Sequence, residues 1–160
     1  MVLNTEATIN LQDVDISTSG DVLIRATDAS DGDDHVNTDW GTSGGDITFT
    51  ATDQVLSGTV SCNELSSMDI ALSGTSTLSG AVEVEDGGEV HITLEDSAKW
   101  IATGNSYVTS LDGITFSGGT PTNVGAGSGV VIYYSSATDA DGNALNSDYT
   151  LPSGGKLVKN

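Results

Sequence analysis

The chain has 160 residues, 36% of them hydrophobic and 5% aromatic, which suits one domain with a slim core. Four basic residues against 23 acidic ones give a net charge of −19, a field that opposes binding to nucleic-acid phosphates and to anionic membrane surfaces. Cys62 is the only thiol, so an intramolecular disulfide and a two-cysteine metal or redox site are excluded, and no apolar run approaches the length of a membrane span.

The first six residues hold no positively charged region leading into an apolar stretch, so an export signal is expected in a longer parent protein. Residues 8–11 and 14–17 alternate in the manner of short strands, with a turn at Ser19-Gly20-Asp21. The next strand, Val22-Leu23-Ile24-Arg25-Ala26, aligns with Ile47-Thr48-Phe49-Thr50-Ala51 at a step of 25. Between them, residues 28–45 are polar and turn-rich and read as a loop inserted into the repeat. From residue 46 to about 117 a period of about 22 residues takes over. The pair Ile47/Phe49 recurs as Ile70/Leu72, Ile92/Leu94 and Ile114/Phe116, at steps of 23, 22 and 22. A second register runs Leu56, Leu78, Trp100, and third strands are expected at residues 59–61, 81–84 and 106–108. Residues 117–129 read as a glycine-rich loop and 130–134 as one more strand. Residues 135–160 read as an acidic loop and a C-terminal cap.

A repeat this short cannot bury its own apolar side, so stacking coil upon coil is the physical answer to the pattern. The expected fold is therefore all-β: a parallel β-solenoid of three short strands per coil, spanning residues 1–160 as a single domain. Equivalent side chains should form ladders, with Ile47, Ile70, Ile92 and Ile114 inside and Thr48, Ala71, Thr93 and Thr115 outside. Trp100 falls on the inward register, with Tyr107 beside it, and Cys62 reads as a small buried hydrophobe.

Val55-Leu56-Ser57-Gly58-Thr59-Val60, Thr77-Leu78-Ser79-Gly80-Ala81-Val82, the stretch from His91 through Trp100 to Leu111, and Tyr149-Thr150-Leu151-Pro152-Ser153-Gly154-Gly155-Lys156-Leu157 resemble right-handed parallel β-helix domains of bacterial cell-surface and secreted proteins. That group includes pectate-lyase-like enzymes, carbohydrate-binding surface proteins and adhesin passengers. The resemblance implies the right-handed β-helix and an extracellular or cell-surface setting. It does not select an activity.

Catalysis finds little to stand on. A polysaccharide lyase needs a basic residue beside the uronate carboxylate, and Arg25 and Lys99 fall in different coils. Carboxylate pairs for glycoside hydrolysis are unavoidable among 23 acidic residues, and so carry no information. His35 and His91 read as solvated surface residues. The chain is expected not to be an enzyme.

Two acidic loops invite calcium as a cofactor. Asp28, Asp31, Asp33 and Asp34 crowd the first, while Asp139, Asp141 and Asn143 in the second alternate oxygen side chains around Gly142. The plain alternative is that Asp, Asn and Gly are turn formers. Trp40, Tyr133, Tyr134 and Tyr149 are candidate faces for sugar rings. The leading expectation is thus a non-catalytic extracellular module of a bacterial surface protein: adhesin, stalk or assembly unit. The alternative is a calcium-supported carbohydrate-binding module, and a polysaccharide-degrading enzyme comes last. Expected partners are a polysaccharide or a host or cell-surface glycan, and further copies of the chain joined end to end.

Overall fold

Alternation of apolar and polar residues gives strands with one greasy side, and strands of successive coils bury that side by stacking in parallel. A computed structural model of the chain describes residues 1–14, 16, 21–28 and 43–160, and every regular element among them is a strand. Coils of about 24 residues stack for about six turns into a β-solenoid.

Three sheets run along the axis. One face carries, in hydrogen-bonded order, β2 (Glu6–Gln12), β4 (Asp46–Thr52), β7 (Ser67–Ser73), β10 (Glu89–Leu94), β12 (Ser106–Ile114), β16 (Val131–Asp139) and β18 (Lys156–Lys159). A short β17 (Tyr149–Thr150) folds back antiparallel on the last of them. The second face stacks β5 (Val55–Ser57), β8 (Thr77–Ser79), β11 (Lys99–Ala102) and β15 (Val124–Ala126). The third stacks β1 (Val2–Leu3), β3 (Val22–Thr27), β6 (Thr59–Cys62) and β9 (Val82–Val84). A small antiparallel pair, β13 (Phe116–Ser117) and β14 (Thr120–Pro121), lies in the chain between β12 and β15.

The core is a set of columns. Phe49, Ile70, Ile92 and Leu111 pair rung to rung on the first face, and Leu56, Leu78, Trp100 and Val124 on the second. Val60 and Val82 pair on the third. All ten are buried, each contributing about 1.5–3 kcal/mol on transfer from water if its burial is complete. In the last coil Leu145, Leu151 and Leu157 are buried too.

Several expected alignments change. Ile47 pairs with Met68 and Phe49 with Ile70, so the rungs are two residues away from the expected ones. A slip of two leaves every side chain on its original face, which is why the inward set survives the error. The outward ladder becomes Thr48, Asp69, His91 and Ser110, not Thr48, Ala71, Thr93 and Thr115. At the other end the partner of Ile92 is Leu111, not Ile114. β3 stacks on β6 of the third face, whereas residues 8–11 stack on 48–51. Val14 and Ile16 are not in a strand; residues 15 and 17 lie outside the described residues. The expected glycine-rich loop at 117–129 holds β15, and residues 106–108 begin β12 of the first face instead of closing a third.

The turns are laddered as well. Oδ1 of Asp53 accepts from the Thr75 backbone N–H (2.8 Å) and hydroxyl (3.0 Å), while Oδ2 of Asp96 accepts from Gly74 N–H (3.1 Å). The Gly74-Thr75 turn is therefore held by a carboxylate from the coil on each side. Those Thr75 hydrogen bonds hold the Asp53 carboxyl below its usual value of 3.8. A depressed carboxyl stabilises the fold above the unfolded value, and the contribution disappears as pH falls through the folded one. Thermal melting from about pH 5 down to about pH 2 should show a falling midpoint, with a shallower fall in Asp53→Asn; parallel curves would deny the turn this role.

Candidate functional site

The outward side chains with most ligand character lie where the first and third faces meet. Tyr107 on β12 and Tyr133 on β16 occupy one register, and their rings stack with centroids 4.9 Å apart and planes 12° from parallel. Tyr107 is 48% exposed. Beneath it β10 falls short, because the β10–β12 pairing begins only at His91 with Ser110. The chain there turns through residues 85–88, closed by the Gly88 N–H on the Glu85 carbonyl (2.9 Å). That shortfall opens a cleft of about 230 Å³, walled by the two tyrosines and the turn, with Ser135 and Asn160 also lining it.

Tyr107 was expected beside Trp100 in the core and stands on the surface instead. Trp100 itself is fully buried, and its Nε1–H donates to the Gly80 carbonyl (3.0 Å). The signal for Tyr107 was present: Ser106-Tyr107-Val108 has the in-out-in alternation of Ile132-Tyr133-Tyr134. Tyr134 is the reverse case. Its ring is wholly buried and its hydroxyl donates to the Ser147 carbonyl (2.9 Å), so it presents no face to a sugar. Burial, with Tyr149 and Asp148 nearby, pushes its phenol above the usual value. Tyr149 is partly buried and tilts 55° against Phe116 at 5.2 Å. Trp40 lies outside the described residues.

Asp28 is 2% exposed and accepts from Asn63 Nδ2 (2.9 Å). Asn63 in turn accepts from the Ser66 hydroxyl, and Ser66 Oγ receives the Gly45 N–H (2.9 Å). This chain of bonds ties the start of the inserted segment to its end. Asn63→Ala should cost about 1–3 kcal/mol by removing a partner from each of two buried polar groups; a loss within about 0.5 kcal/mol in chemical denaturation would mean that water replaces the amide. Asp31, Asp33, Asp34 and His35 lie outside the described residues.

In the second acidic loop Asp139 Oδ1 accepts from the N–H groups of Asp141 (3.0 Å) and Asn143 (2.8 Å), and both its oxygens lie within reach of Asn143 Nδ2. The Asn143 bonds, side chain first, hold this carboxyl below its usual value. Asp139 thus closes its own turn, helped by Gly142 at φ 84°. Among the described residues no three His, Cys, Asp or Glu side chains gather closely enough to hold a metal ion.

No family model, no curated protein and no solved structure matches the chain.

Cys62 is 1% exposed, and burial pushes its thiol up to about 11. At neutral pH the thiolate is scarce and out of reach. A thiol reagent should label the native protein only at the rate of unfolding; prompt labelling would contradict the packing around Cys62.

Proposed function

We propose that this chain is a non-catalytic module of a bacterial surface protein, displayed outside the cell as a stalk, adhesin segment or assembly unit. The observation that carries the reading is the continuity of the first face, seven parallel strands joined rung to rung from β2 to β18. Stacked at about 4.8 Å per coil, six coils make a rod of roughly 30 Å whose reach depends on coil number and whose outward side chains are free to serve display. A composition rich in Ser, Thr, Gly and Asp, with one inert thiol, fits an exposed and oxidising setting.

Antibody labelling and protease shaving of intact cells that carry the native gene product test the reading. Label and cleavage on unbroken cells are expected; signal only after lysis would end it. End-to-end association of copies belongs to the same proposal and would register as a sedimentation coefficient that rises with concentration. Calcium at Asp139, Asp141 and Asn143 would have to replace hydrogen bonds that already close the loop, and melting with calcium and with chelator decides it.

A further inference from the structure

The cleft beneath Tyr107 has a definite chemistry. One wall is the exposed ring of Tyr107, backed by Tyr133. Opposite, the turn brings Glu85 and Asp86, both exposed, and no residue lining the cleft is basic. Ser135 and Asn160, a hydroxyl and an amide residue, also line it. An aromatic wall favours a ligand with an apolar ring face, the carboxylates favour a cationic substituent, and the hydroxyl and amide favour hydroxyls.

The pair of tyrosines has reason to be rigid. Each lies between two inward residues, Ser106 and Val108 in one strand and Ile132 and Tyr134 in the next, all four buried. Tyr133 is followed on its other side by Val158 of β18. Both tyrosines line the cleft, together with the 85–88 turn. A prepaid aromatic surface of this kind loses little conformational entropy on binding.

We propose that this cleft binds an amino sugar with a free amine, of the glucosamine type, at the end or within an oligosaccharide. The pyranose face lies on Tyr107, the ammonium faces Glu85 and Asp86, and the hydroxyls reach Ser135 and Asn160. Uronate, sulfated and phosphorylated glycans are disfavoured by the same two carboxylates and by the net charge of −19. About 230 Å³ accommodates one such ring with its substituents, while the rest of a longer glycan stays on the surface. This inference does not depend on where the protein is displayed.

Calorimetric titration with a glucosamine disaccharide near physiological salt tests it, beside the N-acetylated disaccharide and dilysine. The free-amine disaccharide should bind at least fivefold more tightly than either. Tyr107→Ala should weaken it tenfold or more, Tyr107→Phe should leave it within about twofold, and Glu85→Gln with Asp86→Asn should weaken it several-fold. Because Tyr107 and both carboxylates are exposed, unchanged thermal melting of the variants is expected and is checked in parallel; Tyr107→Phe keeps the test valid if Tyr107→Ala melts early. Absence of binding at millimolar disaccharide overturns the proposal, as does affinity indifferent to Tyr107. Equal or tighter binding of dilysine overturns it in favour of a basic peptide, and equal binding of the acetylated sugar removes the role given to the carboxylates.

Discussion

Trp100→Ala should lower stability by about 3–5 kcal/mol and the melting midpoint by roughly 6–20 °C. Trp100 is the largest of the fully buried side chains and sits in a column between Leu78 and Val124, so its removal leaves a void that two rigid sheets cannot close. The Gly80 carbonyl also loses the indole N–H that it accepts. Neighbouring coils rely on one another for burial, so a weak coil in the middle of a stack should reduce the cooperativity of the whole. Trp100→Phe separates the two contributions: it refills most of the volume and should recover more than half of the loss, leaving about 1–2 kcal/mol for the unpaired carbonyl. Chemical denaturation followed by circular dichroism measures both. A Trp100→Ala loss under about 1 kcal/mol would mean that the column is not packed as described.

Gly113→Val should be of similar size, for a different reason. Leu111 and Ile114 are both fully buried although they stand three residues apart, and a regular strand would send one of them outward. The register of β12 against β16 shifts between those two residues, and Gly113 lies inside the shift at φ 82°. This is a bulge, and it restores the inward direction for Ile114. A β-branched residue at that φ is a steric outlier, and its Cβ would also collide with the Leu94 carbonyl of the neighbouring coil. Buried Asn123 donates to the Gly113 carbonyl (2.9 Å) and accepts from the Thr115 N–H (2.9 Å), so movement of the bulge breaks these bonds as well. The expected loss exceeds about 3 kcal/mol. Gly118→Ala is the matching control: φ is 58° but nothing lies within 4 Å of a Cβ there, so backbone strain alone should cost about 1 kcal/mol. Equal effects at the two glycines would show that close approach of the coils does not matter at Gly113.

Gly113 also shows why the alignment read from the chain fails where it does. Identity at a step of 22 led from Ile92 to Ile114, and the true partner of Ile92 is Leu111. A bulge adds a residue without any apolar signature, so the pattern offers no way to count it. At Ile47 the error is of another kind. Alternation has a period of two, so pairing Ile47 with Met68 or with Ile70 buries the same side chains, and only the length of the intervening turns selects one. The site suffered from the same ambiguity. Tyr133 reads as a candidate ring face and Tyr107 as a neighbour of Trp100, yet the two tyrosines, 26 residues apart, share one register.

The chain by itself determined that it would coil: apolar pairs that recur before any one segment can shelter them leave stacking as the way to remove them from water. It also determined the inward faces, the central place of Trp100 and the inert Cys62, since these follow from alternation and composition alone. Tertiary structure decided which rung meets which, and therefore that β10 stops short beneath Tyr107 and leaves a cleft there. The reason is that burial is a property of faces, and a face is unchanged by a slip of two residues. Contact between particular side chains depends on turns, bulges and the glycine that lets two coils approach, and these act across a distance in sequence that no local pattern spans.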